Sequence, residues 1–238
     1  MPRGTRLTDQ RTAQRVRLIF GKGEEVKYVS HLGVLRAWER IVRRAGLPLA
    51  YSQGFNQRPK LTFASALSVG HTGRQEVLDL ELRERMSLES VMARLRPQLP
   101  PGFLLHSAME VPLDAPSTQS LLRYAVYRVV FDPCQSATGV IAGLNRLLSA
   151  PTLPRQREVK GQSRSYDLRP LIQDLWYICS DERGHVVGMI LVNRSAGAGR
   201  VDEVAAELGL PLKAVERVRL IFEGEAVDWA AIRQSLTE

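Results

Sequence analysis

Hydrophobic residues recur along the first half of the chain with two periods, which predicts strands and helices in succession. Arginine and apolar side chains alternate at 15–18, and two more apolar residues follow at 19–20, which predicts a strand. Apolar residues then recur every three to four residues from 31 to 45, which predicts a helix that Ser30 caps and Gly46 ends. The same patterns predict strands at 49–52, 60–64, 76–82 and 103–111 and a helix at 87–99. This β-α-β-β-α-β order is typical of a ferredoxin-like antiparallel sheet with its helices on one face.

The second half of the chain largely repeats this order. Its patterns predict strands at 124–131, 175–179, 186–192 and 215–222 and helices at 136–148 and 201–208. We therefore predict an α+β protein with two ferredoxin-like halves. The predicted domains are a disordered basic arm at 1–14, a first domain at 15–113, and a second domain at 120–238 with a basic insertion at 154–170.

Acidic residues and cysteines give two local predictions about burial. The strand at 76–82 alternates apolar with acidic side chains, which predicts that Asp79 and its acidic neighbours face solvent. Cys134 and Cys179 lie in or beside apolar stretches, so we predict small buried thiols. Two cysteines are too few for a disulfide framework or an iron–sulfur cluster.

The charge balance points to a polyanionic partner. The chain has 33 Lys and Arg residues against 25 Asp and Glu residues, a net charge of +8. Such an excess attracts RNA or DNA first and acidic membranes second, although part of it can be solvated surface. The sequence shows no apolar signal region and no membrane-spanning run, and its four histidines are scattered. We therefore expect a cytoplasmic protein that takes no membrane, metal or cofactor.

Two basic segments of the first half are candidates for contacting RNA. Three arginines share one ridge of the first helix at i, i+4 and i+7, where they can reach successive phosphates: Arg36, Arg40 and Arg43. The following loop combines an aromatic ring, amides and cations, as single-stranded RNA recognition does: Gln53, Phe55, Asn56, Arg58 and Lys60. A solvated helix face, with Glu39 neutralising Arg43, and a core position for Phe55 are the structural alternatives.

The insertion at 154–170 supplies a third basic segment. Its cations are Arg155, Arg157, Lys160, Arg164 and Arg169. They suggest a mobile loop or hairpin that contacts phosphate. A disordered surface loop, or a structural salt bridge between Asp167 and Arg169, are the alternatives.

Several motifs resemble the radical-SAM-linked protein family, a domain of unknown function. The matching segments are 30–32, Arg40, 43–48, 51–56, 59–61, 63–64, 79–82, 160–161 and 167–172. This resemblance implies a partner, a B12-binding radical SAM protein that is encoded beside such domains or fused to them. The family usually has an acidic residue after His-Leu, where this chain has Gly33. If that acid orients His31, the role is missing here.

These features together suggest an accessory module that binds tRNA or ribosomal RNA and presents it to the radical SAM enzyme. The chain lacks the three close cysteines that a radical SAM cluster needs, so the partner would perform the radical chemistry. One alternative is a metal-independent RNA endonuclease that uses His31, similar to the CRISPR RNA-processing enzymes. Another is a subunit that binds only protein. We expect binding rather than catalysis, with His31 as the one catalytic candidate.

Overall fold

The computed structural model describes residues 12–53, 56–159 and 162–237. The chain is a mixed α+β protein whose strands pair mostly antiparallel. It divides into two compact units, the first comprising Met1–Val69 with Glu76–Thr118 and the second comprising Gly70–Gln75 with Gln119–Glu238. Within the described ranges, no helix has the length and apolar character needed to cross a membrane.

The first unit contains four strands and two principal helices. In chain order they are β1 (Gln14–Lys22), α1 (His31–Arg44), β2 (Leu61–Phe63), β3 (Thr72–Leu82), α2 (Leu88–Leu95) and β4 (Phe103–Val111). β1 pairs antiparallel with β4, and β2 pairs antiparallel with β3. The strand order is β4-β1-β3-β2. The first residues of β3, 72–75, belong to the second unit.

Helix α1 packs one face into the core of the first unit. Its residues Val34, Trp38 and Ile41 are buried against strand residues that include Phe20. The Trp38 ring lies edge-on to Phe20, with 4.9 Å between the ring centroids. Ser30 caps the helix, because its Oγ accepts a hydrogen bond from the backbone N–H of Gly33 at 3.2 Å. The packing and the cap together fix the position of α1, and its opposite face is exposed.

The second unit contains the remaining strands, β5 to β11. After a short helix, α3 (Thr118–Leu121), come β5 (Leu122–Phe131), α4 (Ala137–Ser149), β6 (Pro154–Val159), β7 (Gln162–Asp167), β8 (Ile172–Asp181), β9 (Gly184–Arg194), β10 (Gly197–Ala198), α5 (Val201–Leu208), β11 (Leu212–Phe222) and α6 (Trp229–Ser235). β5 lies between β9 and β11 and is antiparallel to both, while β8 and β10 pair with β9. β11 also runs parallel to the first residues of β3. β6 and β7 form a separate hairpin.

Several local predictions need correction. The segment 49–52 forms only isolated bridges, Leu49 with Leu82 and Tyr51 with Pro59, rather than a strand. The segment 154–170 is largely the β6–β7 hairpin, one of the two forms predicted for it, whereas α6 was not predicted. Residues 1–11 of the predicted arm lie outside the described residues. The next part of it contacts the first unit, since Ala13 N donates to Leu82 O at 2.8 Å.

The two burial predictions were wrong. Asp79 is 3% exposed and Glu76 is 4% exposed, although an alternating strand predicted acidic side chains in solvent. For Asp79 the physical reason is pairing, because two arginines of the neighbouring strand β1 neutralise its carboxylate. Cys134 and Cys179 are exposed free thiols. Cys134 follows the end of β5, and Cys179 lies towards the exposed end of β8.

Candidate nucleic-acid interface

An open groove in the first unit brings together two of the predicted basic segments. We call it the arginine groove, and its volume is about 620 Å³. It is lined by Leu32, Leu35, Arg36, Glu39, Arg43, Asn56, Gln57 and Arg58. Four of the predicted site residues therefore share one surface: Arg36, Arg43, Asn56 and Arg58.

The helical wall of the arginine groove follows from the periodicity of α1. Because the buried positions of this helix include Val34, Trp38 and Ile41, Arg36 and Arg43 emerge on another face. Seven residues at 1.5 Å per residue separate them by roughly 10 Å along the axis. Arg40 is exposed on the same helix. The helix thus presents two guanidinium groups to the groove and a third to solvent.

The opposite wall is a loop closed by backbone hydrogen bonds. Ser52 N donates to Arg58 O at 2.9 Å, and Arg58 N donates to Ser52 Oγ at 3.1 Å. Lys60 N donates to Ala50 O at 2.9 Å. These bonds fix the ends of the loop, so the side chains of Asn56 and Arg58 reach the groove. Gln53 is exposed on the same loop, and Phe55 lies outside the described residues.

The arginine groove carries net positive charge. Three of its lining residues are arginines and one, Glu39, is acidic. Within the described part of the chain, no hydrogen bond or ion pair engages the guanidinium groups of Arg36, Arg43 and Arg58. Glu39 and Arg43 are both described and form no ion pair. The structure therefore does not support the alternative in which Glu39 neutralises Arg43. The groove can therefore offer planar, multidentate donors to an anion.

Lys60 has a different environment from the groove residues. Its Nζ forms an ion pair with Glu81 Oε2 at 2.8 Å and a hydrogen bond with Thr12 Oγ1 at 3.2 Å. Thr12 Oγ1 also donates to Glu81. Part of the positive charge at Lys60 is thus neutralised within the fold.

Two cations of the predicted insertion hold the second unit together. Arg155 donates to Glu203 O at 3.1 Å and forms an ion pair with Glu207 at 3.2 Å, which joins the hairpin to α5. Arg169 donates through Nη2 to Leu148 O at 2.7 Å and through Nη1 to Ile172 O at 2.9 Å. The bond from Arg169 to Leu148 O satisfies a carbonyl in the last turn of α4.

Two other cations of the insertion lie on the strands of the hairpin. Arg157 of β6 and Arg164 of β7 lie opposite each other in the backbone register of the hairpin. Lys160 lies outside the described residues. Asp167 Oδ1 accepts hydrogen bonds from Leu153 N at 2.7 Å and from Arg169 N at 2.9 Å, which closes the base of the hairpin. The 167–169 motif therefore has a structural role.

We expect Arg169→Ala to lower the free energy of unfolding by about 2 kcal/mol, since it leaves two partly buried carbonyls without their charged donor. Chemical denaturation of the two proteins measures the difference. RNA affinity per folded molecule should stay close to that of the unchanged protein. A large loss of RNA affinity without a loss of stability would instead assign Arg169 to the interface.

His31 faces a smaller pocket near the start of α1. Its ring lies edge-on to Phe63, with 5.3 Å between centroids. The same pocket is lined by Lys22 and Glu76, which were not predicted as site residues. The signal that could have found them is charge at inward positions of β1 and β3, where apolar neighbours predict burial. Among the described residues, no group of three or more His, Cys, Asp or Glu side chains is arranged to hold a metal.

Comparison with known proteins identifies a family for this chain. No curated protein sequence matches it. A solved structure titled "Crystal Structure of a Cbf5-Nop10-Gar1 Complex" is similar, with a TM-score of 0.48 and 11% identity over 87% of this chain and 48% of that chain. This chain thus spans about half the length of that one. The family described as an uncharacterized protein conserved in bacteria, DUF2344, matches residues 15–201. Because that match covers most of the sequence, the chain belongs to the DUF2344 family.

Proposed function

We propose that this protein binds single-stranded segments of tRNA or ribosomal RNA along the arginine groove. The observation that carries the proposal is the convergence of Arg36, Arg43 and Arg58 on one open surface, with the amides of Asn56 and Gln57 beside them. Guanidinium groups bind phosphate oxygens in a multidentate way, and amides hydrogen-bond the edges of unpaired bases. The net charge of +8 would attract the polyanion over longer distances.

Binding to RNA should weaken steeply as salt is added. Three phosphate contacts to a single strand give a slope of about −2 for log K against log salt, or a roughly 20-fold loss between about 50 and 200 mM salt. Fluorescence anisotropy with a labelled single-stranded RNA measures this dependence. An affinity that stays flat over the same range would remove the groove as a phosphate-binding surface.

The family resemblance supports a further part of the proposal, namely that the bound RNA is presented to a partner radical SAM enzyme in the cytoplasm. The motifs at 30–32 and 43–48 carry it. The first unit has the order β1-α1-β2-β3-α2-β4. Apart from the β6–β7 hairpin and the two-residue β10, the second unit has the order β5-α4-β8-β9-α5-β11, and the two orders support the inference that both are ferredoxin-like halves. Pull-down of the radical SAM protein after nuclease treatment separates direct contact from RNA bridging. It also tests the alternative of a subunit that binds only protein.

RNA cleavage by His31 is a second candidate function, since His31 shares a pocket with two buried charged residues, Lys22 and Glu76. The test is incubation of labelled RNA with the protein in a chelator. RNA that stays intact excludes metal-independent cleavage. Cleavage that is undiminished in His31→Ala excludes this histidine as its catalyst.

A further inference from the structure

An acidic side chain lies in the middle of the helical wall of the arginine groove. Glu39 lines the groove between Arg36, three residues before it, and Arg43, four residues after it. Residues at these spacings are neighbours on one side of a helix. Glu39 is half-buried, and its carboxylate forms no hydrogen bond or ion pair with any residue that the structure describes. Its oxygens can therefore accept hydrogen bonds from a ligand in the groove.

The charge of Glu39 opposes the binding of phosphate beside it, because like charges repel each other at short range. An acid in a groove that binds an RNA backbone therefore weakens binding, unless its carboxylate meets a hydrogen-bond donor of the RNA. The edges of unpaired bases carry such donors. A carboxylate accepts through two neighbouring oxygens and has no proton to donate, so two parallel N–H groups match it best.

Guanine is the base whose Watson–Crick edge has this pattern. Its N1–H and one N2–H point the same way from neighbouring atoms, as the two N–H groups of an arginine fork do. Adenine and cytosine place a ring nitrogen acceptor at the centre of that edge, which a carboxylate repels. Uracil has a single N–H between two carbonyl oxygens. A carboxylate in the groove thus favours guanine and disfavours the other three bases.

The remaining lining of the groove suits the rest of a guanine base. The guanine O6 atom, beside N1–H, is an acceptor, and the amides of Asn56 and Gln57 supply N–H donors from the opposite wall. Leu32 and Leu35 give the groove an apolar surface, and Leu32 is 48% exposed. Leu35 lies one helical turn before Glu39. A base that packs its face on these leucines can therefore bring its edge to the carboxylate.

We propose that Glu39 makes the arginine groove selective for an unpaired guanine, whose N1–H and N2–H donate to the carboxylate. The arginines then hold the phosphates on either side of that nucleotide, and Glu39 determines which base lies between them. This inference rests on the proposed RNA binding and adds the base that the site takes.

The ligand-side test uses fluorescence anisotropy with short oligouridine strands that carry one variable base at the centre: guanine, 7-deazaguanine, hypoxanthine or adenine. 7-Deazaguanine keeps the Watson–Crick edge of guanine, and hypoxanthine lacks its N2 amino group. We expect guanine and 7-deazaguanine to bind equally and about tenfold more tightly than adenine, with hypoxanthine between them.

Three results would contradict this expectation in different ways. Equal affinity for guanine and adenine would overturn the guanine preference and leave RNA binding by the groove in place. A preference that is lost with 7-deazaguanine would place the contact on the other edge of the base and overturn the role of Glu39. If no strand binds at all, the proposed function fails together with this inference.

The protein-side test uses Glu39→Gln, which keeps the size and the helix propensity of the side chain. The glutamine amide donates as well as accepts, so it can also pair with adenine. We expect the preference for guanine over adenine to fall from about tenfold to below about threefold, mainly because the adenine strand binds more tightly.

The matched control is Glu84→Gln, at an exposed glutamate that does not line the groove. Each variant removes one negative charge, so both raise the net charge from +8 to +9. Glu84→Gln should keep the full preference for guanine. If Glu39→Gln also keeps it, and both strands gain affinity equally, Glu39 only lowers the charge of the groove and the inference is wrong.

Discussion

Replacing Asp79 with asparagine should lower the free energy of unfolding by about 3 kcal/mol, the scale expected when one partner is removed from a buried ion pair. The Asp79 carboxylate binds Arg15 Nη2 at 2.6 Å and Arg17 Nε at 2.8 Å. It also accepts a hydrogen bond from the Thr118 hydroxyl. Asparagine keeps the shape but loses the charge, so both largely buried arginines lose their counterion.

The same carboxylate gives the stability a defined dependence on pH. Burial alone raises the pKa of Asp79, but the hydrogen bonds from its three partners and the charge of Arg17 outweigh burial. The pKa therefore lies below its usual value of 3.8. A carboxyl whose pKa is lower in the folded protein adds stability above its unfolded pKa, and this stability is lost as the pH falls through the folded pKa. Asp79→Asn should lack this contribution to the loss of stability in acid.

Urea denaturation at pH 7 and at several values below pH 4 measures both effects. Glu110→Gln is the matched control, because its ion pair with Arg85 is exposed and should be worth less than about 1 kcal/mol. If Asp79→Asn costs no more than Glu110→Gln at pH 7, the buried network does not hold the unit together as described.

Replacing the three arginines of the arginine groove with glutamine should lower the affinity for single-stranded RNA roughly 100-fold at about 0.1 M salt. Each phosphate contact releases about 0.7 of a counterion, which at this salt concentration is worth about 1 kcal/mol. The variant is Arg36→Gln, Arg43→Gln and Arg58→Gln combined. Stability should change little, since no described residue pairs with these guanidinium groups.

A matched control removes three exposed arginines outside the groove, namely Arg85, Arg96 and Arg183. Both triple variants lower the net charge from +8 to +5, because each loses three positive charges. The control should lose less than about fivefold in RNA affinity, the part that depends on overall charge alone. Equal losses in the two variants would show that net charge, rather than the groove, determines binding.

Local patterns in the sequence predicted most helices and strands of this fold. The apolar spacing of α1, its cap at Ser30 and the glycine after Ala45 all act within a few residues, so the sequence alone shows them. β2 is only three residues long and depends on pairing with β3, so its limits could not be read from periodicity. The hairpin of β6 and β7 has few apolar residues, and cross-strand pairing defines it.

Side-chain environments were harder to predict because they depend on partners that are distant in sequence. Arg36, Arg43 and Arg58 could be proposed from charge and helical spacing, and the structure places them in one groove. Asp79 was expected in solvent, because its arginine partners lie on another strand. Arg169 and Arg155 were expected to face phosphate, whereas tertiary contacts give them structural partners. Lys22, Ser65 and Glu76 meet only in the folded chain, which is why the sequence did not reveal their pocket.

Cross-linking locates bound RNA on the protein most directly. A single-stranded RNA with 4-thiouridine is irradiated in complex with the full chain, and the cross-linked peptides are identified by mass spectrometry. The account predicts cross-links concentrated in the two segments that form the arginine groove, 32–43 and 56–58. Their yield should fall as salt weakens binding. Cross-links confined to other segments, with these two segments unmodified, would contradict the claim that this groove binds RNA.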